Sequence, residues 1–471
     1  MELMINKNDT LNNSEEKQSL ITENPNELRI IDQIQNKYGY SNLVWINILS
    51  TFMVLFIEDI EMTYFSYLLI PYKKLLNLST TDIIFIHSTF YLGSTLGSIS
   101  AAYITNYLSR RTTLNVAILF LLLCHIGGAF LKNVVLFCVV RFINGYSVGV
   151  MDIIAITVFI EYLPMKLRAF SATSIWVAFS ISPTVFLFIM LKYIPDLDPS
   201  KIESLLLITA SFPAICLIYN LIFFTDSPRS FIVRGQEKEG IKILEIMNGK
   251  QISKEDKKKL VEEITLNSNT EIKGSLKDLY SSKYLSTTLI LVFVWLSTGI
   301  VGFGLLLISS LTMKSTHITA NSIIRNEIFI RIPSGLSYLF GGLICEVDFI
   351  SRKTLIIILN SLSLFFMIIC LFTTGSLFSW MLGISFAIGS LNLNVINTYA
   401  CEIFPTKIRD HIVGALFFGS NLGAIISIIT IPLHEWNILF PYYFSSALFL
   451  LSTIFLFFLP LESIGKCLDS E

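Results

Sequence analysis

Three carboxylates, Glu58, Asp59 and Glu61, fall close together in an otherwise apolar run that begins near Val44. A carboxylate out of water must find a partner or a proton, so ionisable groups in such runs are functional candidates by default. Glu58 and Glu61 are three apart and share a helical face, with Asp59 about 100° round from Glu58. Acids held there can exchange a proton near neutral pH or bind a cation, or they can be wet and passive at an outer mouth. Asp152 lies in a later apolar run, nine residues before Glu161, or about 13 Å along a helix. It can hold a solute or bond to a neighbouring helix.

A further run brings Arg325, Glu327 and Arg331. Glu327 and Arg331 can pair along one helix face, or Arg331 can meet a planar anion. Asn394 and Asn397 share a face, and with Asn392 and Asn144 they suit either a polar solute or bonds between helices. Trp295 reads as a packing residue, and His87 and His125, single and without a metal partner in view, as core residues. No cofactor and no metal are expected.

The segments that hold these residues are long and apolar. The chain is 53% hydrophobic and 15% charged over 471 residues, against about 25% charged in soluble domains, and its mean hydropathy is +0.67. A net charge of −1 and the lack of a basic patch argue against nucleic acid. Six of the seven cysteines lie inside apolar runs and read as small hydrophobes. About 20 apolar residues cross a bilayer. Runs of that order occupy 44–69, 82–105, 112–131, 134–160, 169–193 and 203–224, then 285–311, 322–346, 354–373, 376–400, 410–432 and 438–459.

The expected architecture is an all-α polytopic membrane protein of twelve transmembrane helices in two pseudo-symmetric six-helix bundles, surrounded by lipid. Its organisation reads as a disordered cytosolic tail over 1–42, an N-terminal bundle over 43–224, a cytosolic linker with short helices over 225–284, a C-terminal bundle over 285–460 and a tail over 461–471. The basic loops at Arg110/Arg111, Lys166/Arg168, Arg352/Lys353 and Lys407/Arg409 put both termini in the cytosol by the positive-inside rule.

Two signatures recur. Ser109-Arg110-Arg111-Thr112 returns as Ser351-Arg352-Lys353-Thr354, and Glu161-Tyr-Leu-Pro-Met-Lys-Leu-Arg168 as Glu402-Ile-Phe-Pro-Thr-Lys-Ile-Arg409. Basic loops are common, but E-x-x-P-x-x-x-R at one offset in both halves marks a parallel repeat of the kind found in transporters.

These motifs, with Arg141-Phe-Ile-Asn-Gly145, Ser227-Pro228-Arg229 and Pro460-Leu-Glu462-Ser-Ile-Gly465, resemble those of the major facilitator superfamily. The closest likeness is to its branch of sugar porters, organic-ion transporters and synaptic-vesicle-related (SVOP-type) proteins, over residues 44–468. The resemblance implies a cavity lined by spans 1, 4, 7 and 10, and an acidic D-x-x-E in span 1 to which Glu58 and Glu61 correspond. It also implies cytosolic gates in which Glu161 pairs with Arg110 and Arg168, and Glu402 with Arg352 and Arg409, flanked by Arg111 and Asp348. The same charges could simply anchor helix ends at the headgroups. The loop after span 2 departs from the family's G-x-x-x-D-R-x-G-R-R: Asn106 stands for Asp, Tyr107 for Arg and Ser109 for Gly, and in the second copy Phe349 and Ser351 do so.

The expected function is alternating-access secondary transport of a small organic solute, driven by protons, with a monomer as the working unit and no enzymatic activity. An acid-lined N-terminal half favours a cation and Arg331 an anion. The rival reading is a vesicle-membrane binding or sensor protein of carrier fold that no longer transports. The Gly93-x-x-x-Gly97 and Gly419-x-x-x-Gly423 patterns allow close helix approach, and in the resembled fold their spans face each other between the halves. Glu16, Leu20 and Ile21 fit an acidic dileucine signal for a sorting adaptor, at a plasma or endosomal/vesicular membrane, and Asn77-Leu-Ser79 is a glycosylation sequon.

Overall fold

The computed structural model describes residues 41–163, 168–233, 236–248, 257, 279–305, 320–345, 351–404, 406–434, 437 and 439–459. The dileucine match, Asp348 and the Pro460–Gly465 tail lie outside the described residues, as do the side chains of Asn106, Arg168, Arg325, Glu402 and Arg409.

Apolar runs long enough to span become helices because a backbone in lipid must satisfy its own hydrogen bonds. Spans 1 to 4 are Asn42–Tyr67, Thr80–Tyr107, Arg110–Ala129 and Val134–Tyr162. Span 5 is Arg168–Ser174, a 3₁₀ turn at Ile175–Val177, and Ala178–Tyr193. Span 6 is Ile202–Thr209 followed by Ser211–Phe223. Span 7 runs over Leu285–Gly299 and continues as a π-helix at Ile300–Leu305. Spans 8 to 12 are Ala320–Cys345, Arg352–Leu371, Gly375–Ile403, Thr406–Ile429 and Phe440–Phe457. Among the described residues, ten helices are long and apolar enough to cross a membrane. The other two are spans 2 and 8, at 28 and 26 residues ample in length. Leu123, Phe223, Phe365 and Phe455 are exposed, as a lipid-facing surface requires.

The chain divides into two compact units, 1–45 with 161–168 and 227–270, and the remainder. In the smaller, Ser227 Oγ donates to Glu161 Oε2, Pro228–Val233 packs on Glu237–Asn248, and Lys257 Nζ pairs with Glu245 at 2.7 Å.

Within the larger unit the repeat is visible in the contacts. Span 2 packs on span 11 and span 5 on span 8; exchanging the halves turns one pair into the other. The loop motifs match as well. Ser109 Oγ accepts the Thr112 N–H at 3.0 Å and Ser351 Oγ the Thr354 N–H at 3.2 Å, so each serine is the N-cap of the next span. Arg111 then donates to the Leu221 carbonyl near the end of span 6, and Lys353 to the Leu459 carbonyl beyond span 12 at 2.7 Å. Both cations answer carbonyls that a helix end leaves without partners. Arg111 N–H also donates to Asp226 at 2.7 Å.

The glycines do not face across the halves. A Cβ on Gly93 or Gly97 would run into the backbone of Phe142 or Tyr146 on span 4, and one on Gly419 or Gly423 into Val292 or Leu296 on span 7. Gly145 and Gly149 answer from span 4 against Phe90 and Ser94, and Gly299 from span 7 against Ser420. The close approaches are therefore inside each half. Between spans 2 and 11 the contact is polar, with Asn421 Nδ2 donating to Ser94 Oγ at 3.4 Å.

Candidate functional site

A cavity of about 90 Å³ lies in the larger unit, walled by spans 1, 2, 4 and 5 of the first half and 7, 8, 10 and 11 of the second. Glu58, Asp59, Asp152, Arg331, Asn394 and Asn397 all line it. Trp176, Phe179, Trp295, Phe386 and Phe417 supply aromatic walls. Trp295 both packs edge-on against Phe417, with centroids 5.1 Å apart, and faces the cavity with its indole N–H unpartnered.

The acids differ in their partners. Glu58 Oε2 and Asp152 Oδ1 are buried without a hydrogen bond among the described residues. Asp59 Oδ2 accepts from Ser182 Oγ at 2.7 Å, and its Oδ1 lies 4.0 Å from Arg331 Nη1. Three carboxyl groups and one guanidinium thus share the lining of the cavity.

Glu61 is elsewhere. Glu58, Asp59 and Met62 line the cavity, and they span about 100° of the helix circumference; Glu61 falls about 60° beyond that arc on the Glu58 side. The shared face of Glu58 and Glu61 is therefore split at the cavity edge. Glu61 instead enters the first bundle, where Oε1 contacts His125 Nδ1 on span 3 and Oε2 accepts from Asn144 Nδ2 at 2.9 Å. Arg141 Nη1 donates to the Glu61 carbonyl at 2.8 Å. The guanidinium of Arg141 is fully buried, over the rings of Phe90 at 4.2 Å, Tyr64 at 5.0 Å and Phe65 at 5.8 Å. These faces carry the negative end of the ring quadrupole.

The contact between Glu61 and His125 has a chemical consequence. Thr209 Oγ1 lies 2.9 Å from His125 Nε2 and 3.1 Å from the Leu205 and Leu206 carbonyls, and the tautomer of His125 sets which of the two donates. Nδ1 and Glu61 must meet through a proton, carried by either group; without it a carboxylate would face a lone pair. Reading His125 as a plain core residue missed this, because nothing in local spacing ties it to a residue 64 positions away.

Arg331 and Glu327 do pair along span 8, Nε to Oε2 at 3.6 Å. Arg331 also donates to the Phe179 carbonyl at 3.1 Å and to Tyr67 Oη at 3.2 Å, both in the first half. Of the other asparagines, Asn392 is buried away from the cavity and donates to Asn360 at 3.3 Å. His87 packs against Phe65 at 4.7 Å. Among the described residues no group of His, Cys, Asp and Glu could hold a metal ion.

Residues 8–470 match the family described as sugar (and other) transporter. The chain is 22% identical over 462 residues to the synaptic vesicle 2-related protein of Xenopus laevis, covering 94% of this chain and 82% of that protein. It is 26% identical over 366 residues to organic cation/carnitine transporter 4 of Arabidopsis thaliana, covering 74% and 66%. Its fold is similar to that of the xylose transporter XylE from E. coli in a partially occluded inward-open conformation, with a TM-score of 0.69 at 17% identity over 91% of this chain and all of that one. With its two six-span halves, interior cavity and family match over nearly its whole length, the chain belongs to the sugar (and other) transporter family, within the major facilitator superfamily, and is a multi-pass integral membrane protein.

Proposed function

We propose that the protein carries a small organic cation across the membrane by alternating access, in exchange for or together with a proton. The observation that carries this reading is the pair Glu58 and Asp152: two buried carboxyl groups with unpartnered oxygens, on the wall of a cavity lined by aromatic rings. A buried acid without a partner invites a positive ligand or a proton, and ring faces add attraction for alkylammonium groups. The organic-cation specificity named for the Arabidopsis relative points the same way.

The coupling proton is assigned to the contact of Glu61 with His125, outside the solute cavity and one helix face away from it. Arg141, Asn144 and Tyr64 surround that contact, so a change in its protonation alters how span 1 is held against spans 3 and 4. Both termini are placed in the cytosol, on the basic loops, and a vesicular membrane accords with the synaptic vesicle 2-related proteins. The rival, non-transporting reading leaned on the altered loop after span 2. Ser109 as an N-cap accounts for one of its three departures and leaves Asn106 and Tyr107.

The test is uptake of radiolabelled tetramethylammonium by purified protein in liposomes under an imposed pH gradient. Glu58→Gln together with Asp152→Asn should lower uptake at least tenfold, about 1.4 kcal/mol. Glu61→Gln should abolish the response to the gradient while counterflow exchange persists. Gradient-driven uptake unchanged by Glu61→Gln removes Glu61 from the mechanism, and binding without flux favours the rival.

A further inference from the structure

Arg331 is held loosely by charge and firmly by neutral groups. Its ionic neighbours stand at 3.6 Å (Glu327, on its own helix) and 4.0 Å (Asp59, in the opposite half). Both exceed the 2.7–2.9 Å of a charge-assisted hydrogen bond. Among the described residues its Nε is buried with no hydrogen bond. Its bonds to the Phe179 carbonyl and Tyr67 Oη reach spans 5 and 1 of the first half, and Tyr67 donates in turn to Glu327 Oε2 at 3.2 Å. Three residues on, Ser334 Oγ meets Ser180 Oγ of span 5 at 3.0 Å. One guanidinium therefore sits between an acid of each half, in the seam that joins spans 1 and 5 to span 8. A displacement of about 1 Å would let it close on either acid.

We propose that Arg331 is a tethered cation that competes with the solute for Asp59, and that its displacement onto Glu327 releases span 8 from spans 1 and 5. The inference rests on the cationic-solute reading above and deepens it. Without solute, Arg331 supplies the positive charge that Asp59 requires, and the seam stays closed at the end of the bundle where span 1 terminates. An entering ammonium group takes over that role. Arg331 then needs a new counter-charge, and Glu327 supplies it from within span 8. Solute binding and seam opening thus become one exchange of ion pairs, with two discrete arrangements as an allosteric element requires. The same competition selects against anions, because Arg331 is engaged by carboxylates in both positions.

Two measurements on the full-length protein in nanodiscs test this. Equilibrium binding of tetramethylammonium is compared between wild type, Arg331→Gln and Glu327→Gln. Electron-electron distances are measured between spin labels introduced at Val135 and Phe372, which follow span 3 and span 9 on the same end. Removing the competitor should tighten binding about tenfold, and removing its second seat should weaken it by a similar factor. Opposite signs from two neutral substitutions cannot come from misfolding. Arg331→Gln should also lengthen the label distance without solute, as tetramethylammonium does in wild type. If wild type binds tetramethylammonium and Arg331→Gln binds it no tighter with an unchanged distance, the competitor is refuted and the cationic reading stands. If neither protein binds it, the cationic reading falls and the proposal with it.

Discussion

The interiors of the two halves descend from one pattern and are built from different chemistry. Taking offsets of 241 or 242 from the repeated motifs, Arg141 corresponds to Leu382, Asn144 to Ser385 and His125 to Met367. The first half buries a guanidinium, a carboxyl and an imidazole in contact. At the matching places the second buries Leu382, Met367 and a pair of serines, Ser363 and Ser385, that donate to each other's carbonyls at 2.8 Å. Another polar cluster of the second half is neutral too, with Asn360 donating to Ser452 and Thr453, both at 2.9 Å, while its buried charges, Arg331 and Glu327, lie on span 8. Neutral hydrogen bonds hold the same geometry at any pH, whereas the Glu61 and His125 contact joins two ionisable groups. The comparison sets a buried ionisable cluster in one half against neutral groups at the matching places of the other.

The largest test of this contrast is Arg141→Leu, which imports the second half's residue. It removes the donor to the Glu61 backbone carbonyl and the cation held over three rings, and should cost on the order of 3 kcal/mol, read as a lower unfolding temperature in nanodiscs. Met367→Leu, a volume-conserving change in the neutral half, should cost less than about 1.5 kcal/mol; equal losses would dissolve the distinction. Next in size is Gly97→Ala, whose methyl meets the Tyr146 carbonyl. It should cost about 1–3 kcal/mol, while Gly127→Ala, with nothing within 4 Å of the new Cβ, should stay within about 0.5 kcal/mol. Ser109→Ala and Ser351→Ala should each cost about 1 kcal/mol and match one another; unequal losses would show that the two caps have diverged as the cores have. Below the caps comes Asn360→Ala, at about 0.6 kcal/mol, the average for hydrogen bonds between membrane helices.

Much of this was legible in the sequence. The span limits agree to within a few residues because length and hydropathy are local properties, and the repeat showed itself in charged loop motifs that tolerate little change. Asp152, Asn394 and Asn397, which helical spacing left between a solute site and bonds to neighbouring helices, line the cavity. Spacing on one helix gives relative angles and says nothing about which neighbour each angle meets. That is why Glu61 was grouped with Glu58, and why His125 and Tyr67 went unnoticed as partners of ionisable groups. The π-helix at Ile300–Leu305 was equally invisible, since a π-turn carries no residue pattern of its own.

The duplicated clamp formed by Arg111 on Leu221 and Lys353 on Leu459 has a mechanical meaning. Each ties the beginning of a third helix to the close of a sixth, shutting its half into a ring. A ring so shut resists shear among its own members. Between the two rings the described hydrogen bonds come from hydroxyl, amide and guanidinium groups, weaker fastenings than the backbone contacts inside each half.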